Sequence, residues 1–104
     1  AHAAGAICAV DSTVATPVFT RPLTLGADIV MHAATKYLNG HSDVVAGALV
    51  TREVNEFWAK VRRVRSMHRQ ILGPFHACLL MGGMRPLHLR VETQAKAALA
   101  LAEK

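Results

Sequence analysis

A chain of 104 residues with a formal net charge of +5, half of it apolar and only 5% aromatic, has room for one domain and is built to bury surface rather than stay disordered. Its longest apolar run is far too short to cross a bilayer, which excludes a helical membrane span. Cys8 and Cys78 are too few for a disulfide framework and read as small buried hydrophobes in a reducing compartment; with no charged leader ahead of an apolar core, a cytoplasmic location is expected.

The chain opens on Ala-His-Ala-Ala-Gly rather than Met, which reads as a helix end running into a strand and predicts an internal fragment of a longer protein. Ala6-Ile-Cys-Ala-Val10 is an unbroken apolar run, suited to a strand buried on both faces of a parallel sheet, and it stops at Asp11. Residues 12–24, with Pro17, Pro22 and several threonines, read as loop, with one helical turn over Arg21–Leu25 stopped by Gly26. Asp28–His32 is a second strand. Ala33–Asp43 is a polar elbow, and Val44–Thr51 is a third strand in which Gly47 predicts close approach of another backbone. Val54, Phe57, Trp58, Val61 and Val64 recur at helical spacing, so Glu53–Met67 reads as an amphipathic helix, with acids at its start and arginines toward its end. Phe75–Met81 reads as a buried helix ending at Gly82-Gly83, and Leu87–Lys104 as a final helix. Strands followed by helices predict an α/β domain whose sheet needs further sequence to cover it.

Two residues carry the candidate chemistry. Lys36 follows an apolar run (Ile29, Val30, Met31, Ala33, Ala34) and precedes a glycine-bearing turn; Asp11 ends the preceding strand. A lysine is almost wholly ammonium near neutral pH and becomes nucleophilic when desolvated or set beside other positive charge. An amine at one strand end and a lone carboxylate at the neighbouring one is the pair that pyridoxal phosphate chemistry uses: the amine forms the Schiff base and the carboxylate keeps the pyridine nitrogen protonated. The plain readings stand beside it: a surface lysine opening a loop, and a turn cap at Asp11-Ser12-Thr13. Thr35 and Ser12 carry hydroxyls suited to phosphate oxygens, though turn hydroxyls commonly serve the backbone. His32, His41 and Asp43 fit no familiar metal spacing, so no metal is expected. The basic cluster Arg52, Lys60, Arg62, Arg63, Arg65 and Arg69 reads as a solvated or subunit-facing helix side, with a non-catalytic nucleic-acid-binding module as the rival from another class.

Three blocks together, Asp11-Ser-Thr-x-x-Thr-Pro17, Arg21-Pro-Leu-x-Leu-Gly-Ala-Asp28 and His32-Ala-Ala-Thr-Lys-Tyr-Leu-Asn-Gly-His-Ser-Asp43, resemble the Cys/Met metabolism enzymes dependent on pyridoxal phosphate, the trans-sulfuration family. The likeness continues through Ala46-Gly47 and Gly73-Pro74 to Leu87-x-Leu-Arg90, nearly the whole chain. The resemblance implies a piece of the large domain of a fold-type I pyridoxal-phosphate-dependent transferase, an α/β unit with a mostly parallel sheet flanked by helices. Residues 1–88 would be the central part of that cofactor-binding domain, and residues 89–104 a helix leading toward a C-terminal domain. It implies that Lys36 is the Schiff-base lysine and proton shuttle, that Asp11 pairs with the pyridinium nitrogen, that Thr35 donates to the phosphate, and that Thr13 lies close to the ring. It further implies pyridoxal 5'-phosphate as cofactor and a small amino-acid substrate such as a homoserine ester or cystathionine. The partners implied are copies of the parent chain in a dimer or tetramer, with no nucleic acid and no membrane, and the chain alone is expected to be inactive. Synthase, lyase and sulfhydrylase activities all remain open within the family. Two departures stand out: Ala33 where the family commonly has a phosphate-binding Ser, and Pro86 where it often has Thr at the start of the last helix.

Overall fold

In the computed structural model, which describes residues 1–104, one three-stranded sheet occupies the first half of the chain and three longer helices follow. Strand β2 (Ile29–His32) is central, flanked by β1 (Ala9–Asp11) and β3 (Ala48–Thr51). β1 runs parallel to β2 with Asp11 opposite Met31, while β3 runs antiparallel with Ala48 opposite His32. Within this chain the sheet therefore has one parallel and one antiparallel pairing, a small mixed piece of an α/β sheet. A parallel return needs a crossover packed across the sheet; residues 33–47 instead fold back on themselves at the strand end.

Local hydrogen bonds explain where the strands differ from expectation. β1 takes in Asp11 and begins only at Ala9, because Asp28 captures the segment before it. The Cys8 N–H donates to Asp28 Oδ2 (2.8 Å), His2 Nε2 lies 2.8 Å from the same oxygen, and the Asp28 N–H donates to the Cys8 carbonyl (2.9 Å). β1 is not buried on both faces; Ala9 and Asp11 are exposed. β3 is shorter than Val44–Thr51 because Ala46 is diverted. Its N–H donates to Thr35 Oγ1 (2.9 Å) and its carbonyl accepts from the Thr35 N–H (3.1 Å). Gly47 faces open space, so no backbone approaches it.

Within the expected loop, Thr16–Phe19 forms a short helix, α1, followed by a 3-10 turn over Pro22–Leu25. Helix α2 spans Glu56–Met67, starting later than Glu53 because the Asn55 side chain accepts from the Trp58 N–H (3.0 Å) and caps it. None of its residues is buried, so its apolar stripe lacks a partner within this chain. Helix α3 spans Pro74–Met84 and runs straight through Gly82-Gly83. Helix α4 spans Leu87–Ala102; Pro86 does not disturb its start, since the Pro86 carbonyl accepts from the Arg90 N–H (3.1 Å) and proline lacks only an N–H that a helix start leaves unbonded anyway. The 88/89 boundary falls inside the first turn of this continuous helix.

The core joins the elbow to α4. Ala34 and Leu38, four residues apart, meet Leu87 and Val91, also four apart, with Val18, Tyr37, Ala46 and Leu80 around them. Burying Leu38 and Leu87 contributes about 1.5–3 kcal/mol each. Elsewhere burial is sparse: 14 of 104 residues are buried, and the chain is only 18 Å thick by Cα extent, room for a sheet and a single helix layer. Cys78 and most apolar residues of α3 are accordingly exposed or half-exposed rather than core, and Cys8 is half-buried.

Gly83 is the exception on α3. A Cβ there would be driven into the Asn39 carbonyl, whereas one at Gly82 meets nothing within 4 Å. Backbone cannot yield as a side chain does, so Gly83→Ala is expected to destabilise the full-length protein by about 1–3 kcal/mol through overpacking. Gly82→Ala, gaining helix propensity, is expected to be neutral or to stabilise by up to about 1 kcal/mol. Chemical denaturation of the two variants side by side checks the contrast; equal effects would remove the elbow contact as the cause.

Candidate functional site

The parallel pairing of β1 and β2 sends both chains out of the sheet at one edge, the carboxyl ends where ligands collect in open α/β sheets. Asp11 stands at the end of β1, and the Ser12 N–H prolongs the ladder by donating to the Met31 carbonyl (2.9 Å). The elbow leaves the end of β2 one residue beyond His32.

A relay joins the two exits. The Ala33 N–H donates to Thr13 Oγ1 (2.8 Å); the Thr13 hydroxyl donates to Asp11 Oδ1 (2.6 Å), and the Thr13 N–H donates to the same oxygen (2.9 Å). Thr13 thus ties the carboxylate to the peptide three residues before Lys36. These bonds, the hydroxyl's first and the amide's second, hold the Asp11 carboxyl below the usual carboxylate range, with a small further contribution from His32; partial desolvation opposes them. The carboxylate is exposed and its Oδ2 accepts nothing from the protein.

Lys36 lies in the middle of the elbow. Its N–H donates to the Ala33 carbonyl (3.0 Å) and its carbonyl accepts from the Gly40 N–H (2.8 Å), so its backbone is held at both ends of a tight turn. Its side chain is exposed and pairs with no carboxylate. This corrects the desolvated setting expected from Ile29, Val30 and Met31. Those residues pack into β2, while Ala34 and Leu38 turn the apolar side of the elbow onto α4 and leave Lys36 on the other side, where one thin layer supplies no cover.

The hydroxyls also serve the protein itself. Thr35 Oγ1 accepts from the Ala46 N–H and donates to the Ala46 carbonyl at 3.3 Å, so it braces the elbow. Ser12 Oγ is buried without a partner in the protein. Just beyond, Thr16 is fully buried with φ 56°, a left-handed conformation that costs a β-branched residue on the order of 1–3 kcal/mol; strain of this kind concentrates at functional sites. Asp43 and His41 serve the turn: the Asn39 amide donates to Asp43 Oδ1 (2.7 Å) and His41 Nδ1 lies 2.7 Å from the Asn39 carbonyl.

Reading the sequence singled out Asp11, Thr13, Thr35 and Lys36, and the structure brings all four to one edge of the sheet. It missed Gly83, Asn39 and Arg90, which hold the elbow from below. The signal was present as spacing: Leu87, Arg90 and Val91 share one face of α4.

These residues fit pyridoxal phosphate on their donor chemistry: an unpaired primary amine and, at the same sheet edge, a carboxylate with one free oxygen for a ring nitrogen. The class they define is an α/β cofactor-binding domain of the fold-type I kind. The family model described as Cys/Met metabolism PLP-dependent enzyme matches residues 1–104, and the chain belongs to that family. Among curated relatives, the cystathionine gamma-lyase of Dictyostelium discoideum is 44% identical over 96% of this chain, and the L-methionine gamma-lyase of Treponema denticola is 48% identical over 99%. In both cases the chain spans 26% of the relative. Among solved structures, an apo methionine gamma lyase from Micromonospora echinospora superposes with TM-score 0.82 at 40% identity, over 86% of this chain and 24% of that one. Cystathionine gamma-lyase from yeast superposes with TM-score 0.78 at 44% identity, over 85% and 23%. The chain thus covers about a quarter of the length of these proteins. No helix in it is long and apolar enough to cross a membrane.

Proposed function

We propose that the full-length protein, with pyridoxal 5'-phosphate bound, is a trans-sulfuration enzyme that replaces or eliminates the γ substituent of a homoserine ester or of cystathionine, in the manner of a cystathionine gamma-synthase. The observation that carries this reading is the hydrogen-bonded relay from Ala33 through Thr13 to an ionised Asp11, beside an elbow that presents an unpaired Lys36 amine. When bound, the cofactor supplies a conjugated ring that accepts the electrons released at the substrate's α carbon.

Each residue then has a definite task. The Lys36 amine would hold the cofactor at its aldehyde carbon, and as a free amine it would move protons at Cα and Cβ, both of which γ chemistry requires. The Asp11 carboxylate, with one oxygen free, would pair with the ring nitrogen and keep it protonated. Thr13 holds Asp11 in place. Thr35 has a hydroxyl proton on a long 3.3 Å bond to a carbonyl already bonded by its own N–H, so rotation toward a phosphate oxygen costs little. Ala33 lends no hydroxyl, and its N–H is already engaged by Thr13.

In this reading residues 1–88 belong to the cofactor-binding domain and 89–104 lead toward a C-terminal domain. The protein works in the cytoplasm as a dimer or tetramer, in methionine and cysteine biosynthesis, without nucleic acid or membrane as partner. Exposed apolar residues on α2 and α3, such as Phe57, Met67 and Phe75, support burial against further sequence or another subunit. A second reading, elimination by a cystathionine or methionine gamma-lyase, draws support from the relatives at 44% and 48% identity.

Supplying the full-length protein with O-succinylhomoserine plus cysteine, and separately with cystathionine alone, tests the proposal. Cystathionine formation in the first assay supports the synthase, and thiol release in the second supports the lyase. Failure of both, with no visible cofactor band, removes the proposal.

A further inference from the structure

Arg90 is the one residue whose guanidinium touches both sides of the seam between the Lys36 elbow and the helices. Its Nη2 donates to the Gly83 carbonyl of α3 (2.7 Å) and to the Leu38 carbonyl of the elbow (3.3 Å). Its Nε and Nη1 are buried and bond nothing. The head of the side chain lies directly over Gly40: a Cβ at residue 40 would meet Nη1 and the central guanidinium carbon. Gly40 has φ 73°, a conformation glycine takes freely. The Gly40 N–H is the one that closes the turn onto the Lys36 carbonyl.

From this arrangement we propose that Arg90 is a positioning residue for Lys36. It clamps the elbow at Leu38 and Gly40, the two points that follow the lysine, and fixes them to Gly83, while Leu87 and Val91 on either side of it bury Ala34 and Leu38. The β2–β3 ladder and the Thr35–Ala46 bonds hold the two ends of the segment 33–47; Arg90 holds the turn between them, at Leu38 and Gly40. One terminal nitrogen reaches both carbonyls while the rest of the guanidinium fills the space over Gly40, a volume that the slimmer ammonium of lysine does not fill. Within this chain Nε and Nη1 are buried without partners, so the guanidinium is held by its two carbonyl bonds and by its packing over Gly40. The inference rests on Lys36 being the cofactor-bound lysine and extends that reading to the residue that aims it.

The test uses the full-length protein with Arg90→Ala and Arg90→Lys. In the apo protein, Arg90→Ala is expected to speed hydrogen exchange at the Asn39 and Gly40 amides by roughly 10-fold or more while the β2 amides keep their protection. On addition of pyridoxal phosphate, the visible band and the borohydride-fixed Lys36 adduct are expected to form more slowly. In the loaded enzyme kcat is expected to fall on the order of 10²-fold, the scale of an ångström's misplacement, with KM within about 3-fold. Arg90→Lys, which keeps the charge and one bond, is expected to fall between wild type and Arg90→Ala in all three, and it carries the test if Arg90→Ala does not fold. Uniformly faster exchange across sheet and elbow would reduce Arg90 to a general stabiliser and overturn the proposal. So would unchanged exchange and adduct formation. If wild-type Lys36 takes no label, the function reading fails instead, and local exchange still reports whether Arg90 holds the turn.

Discussion

Lys36→Ala is expected to abolish the borohydride-stable attachment of pyridoxal phosphate to the full-length protein and to lower turnover by roughly 10³-fold or more, the scale of removing a covalent nucleophile. The variant is also expected to fold normally. Lys36 is exposed, pairs with no carboxylate, and holds the turn only through backbone atoms that alanine retains, so the stability change stays within about 0.5 kcal/mol. Loss of function without loss of stability separates a chemical role from a structural one. Peptide mapping of the reduced wild-type protein locates the adduct, and far-UV circular dichroism with thermal unfolding checks the fold. An adduct on Lys60, Lys96 or Lys104 would defeat the assignment.

Asp11→Asn addresses the other end of the relay. An asparagine oxygen accepts both bonds from Thr13, so the loop geometry survives and the charge alone is lost. Without a carboxylate the ring nitrogen is no longer kept protonated, and kcat/KM is expected to drop on the order of 10²-fold or more while the cofactor still binds. Titration of the visible band against pyridoxal phosphate, alongside steady-state rates, distinguishes the two; wild-type turnover in the variant would take Asp11 out of the mechanism. The pH dependence follows from the lowered acidity constant. A carboxylate whose folded-state pKa lies below its unfolded value contributes stability above the unfolded pKa, near 4, and loses it as pH falls through the folded one. Asp28, lowered first by the Cys8 amide and then by His2, behaves in the same sense. Asp11 therefore stays ionised throughout the neutral range, and an acid limb of activity above about pH 4 must belong to another group.

The three longer helices were legible because their signals are local. Trp58 and Val61 at helical spacing, the apolar run Phe75–Met81 and the Ala- and Leu-rich tail each specify a helix from neighbours in sequence. Strand extents were less so, because β1 and β3 end where side chains from elsewhere, Asp28 and Thr35, take the backbone groups that a ladder would use. The Gly82-Gly83 pair was misleading for a related reason. Glycine ends helices by propensity, but here it allows a helix to touch another backbone, and only the partner, Asn39, shows which role applies.

For the site itself, residue order and the family resemblance singled out Lys36 and Asp11 as the candidate amine and carboxylate. Both sit at the ends of apolar runs, and a parallel β pair places successive strand ends at one edge whatever the rest of the fold does. Tertiary structure decided everything that depends on what faces what: the antiparallel return of β3, the exposure of Lys36, the bracing role of the Thr35 hydroxyl, and the clamp of Arg90 on a turn some fifty residues earlier. Hydrophobic spacing reports that a residue has an apolar side; it carries no information about which distant surface meets that side.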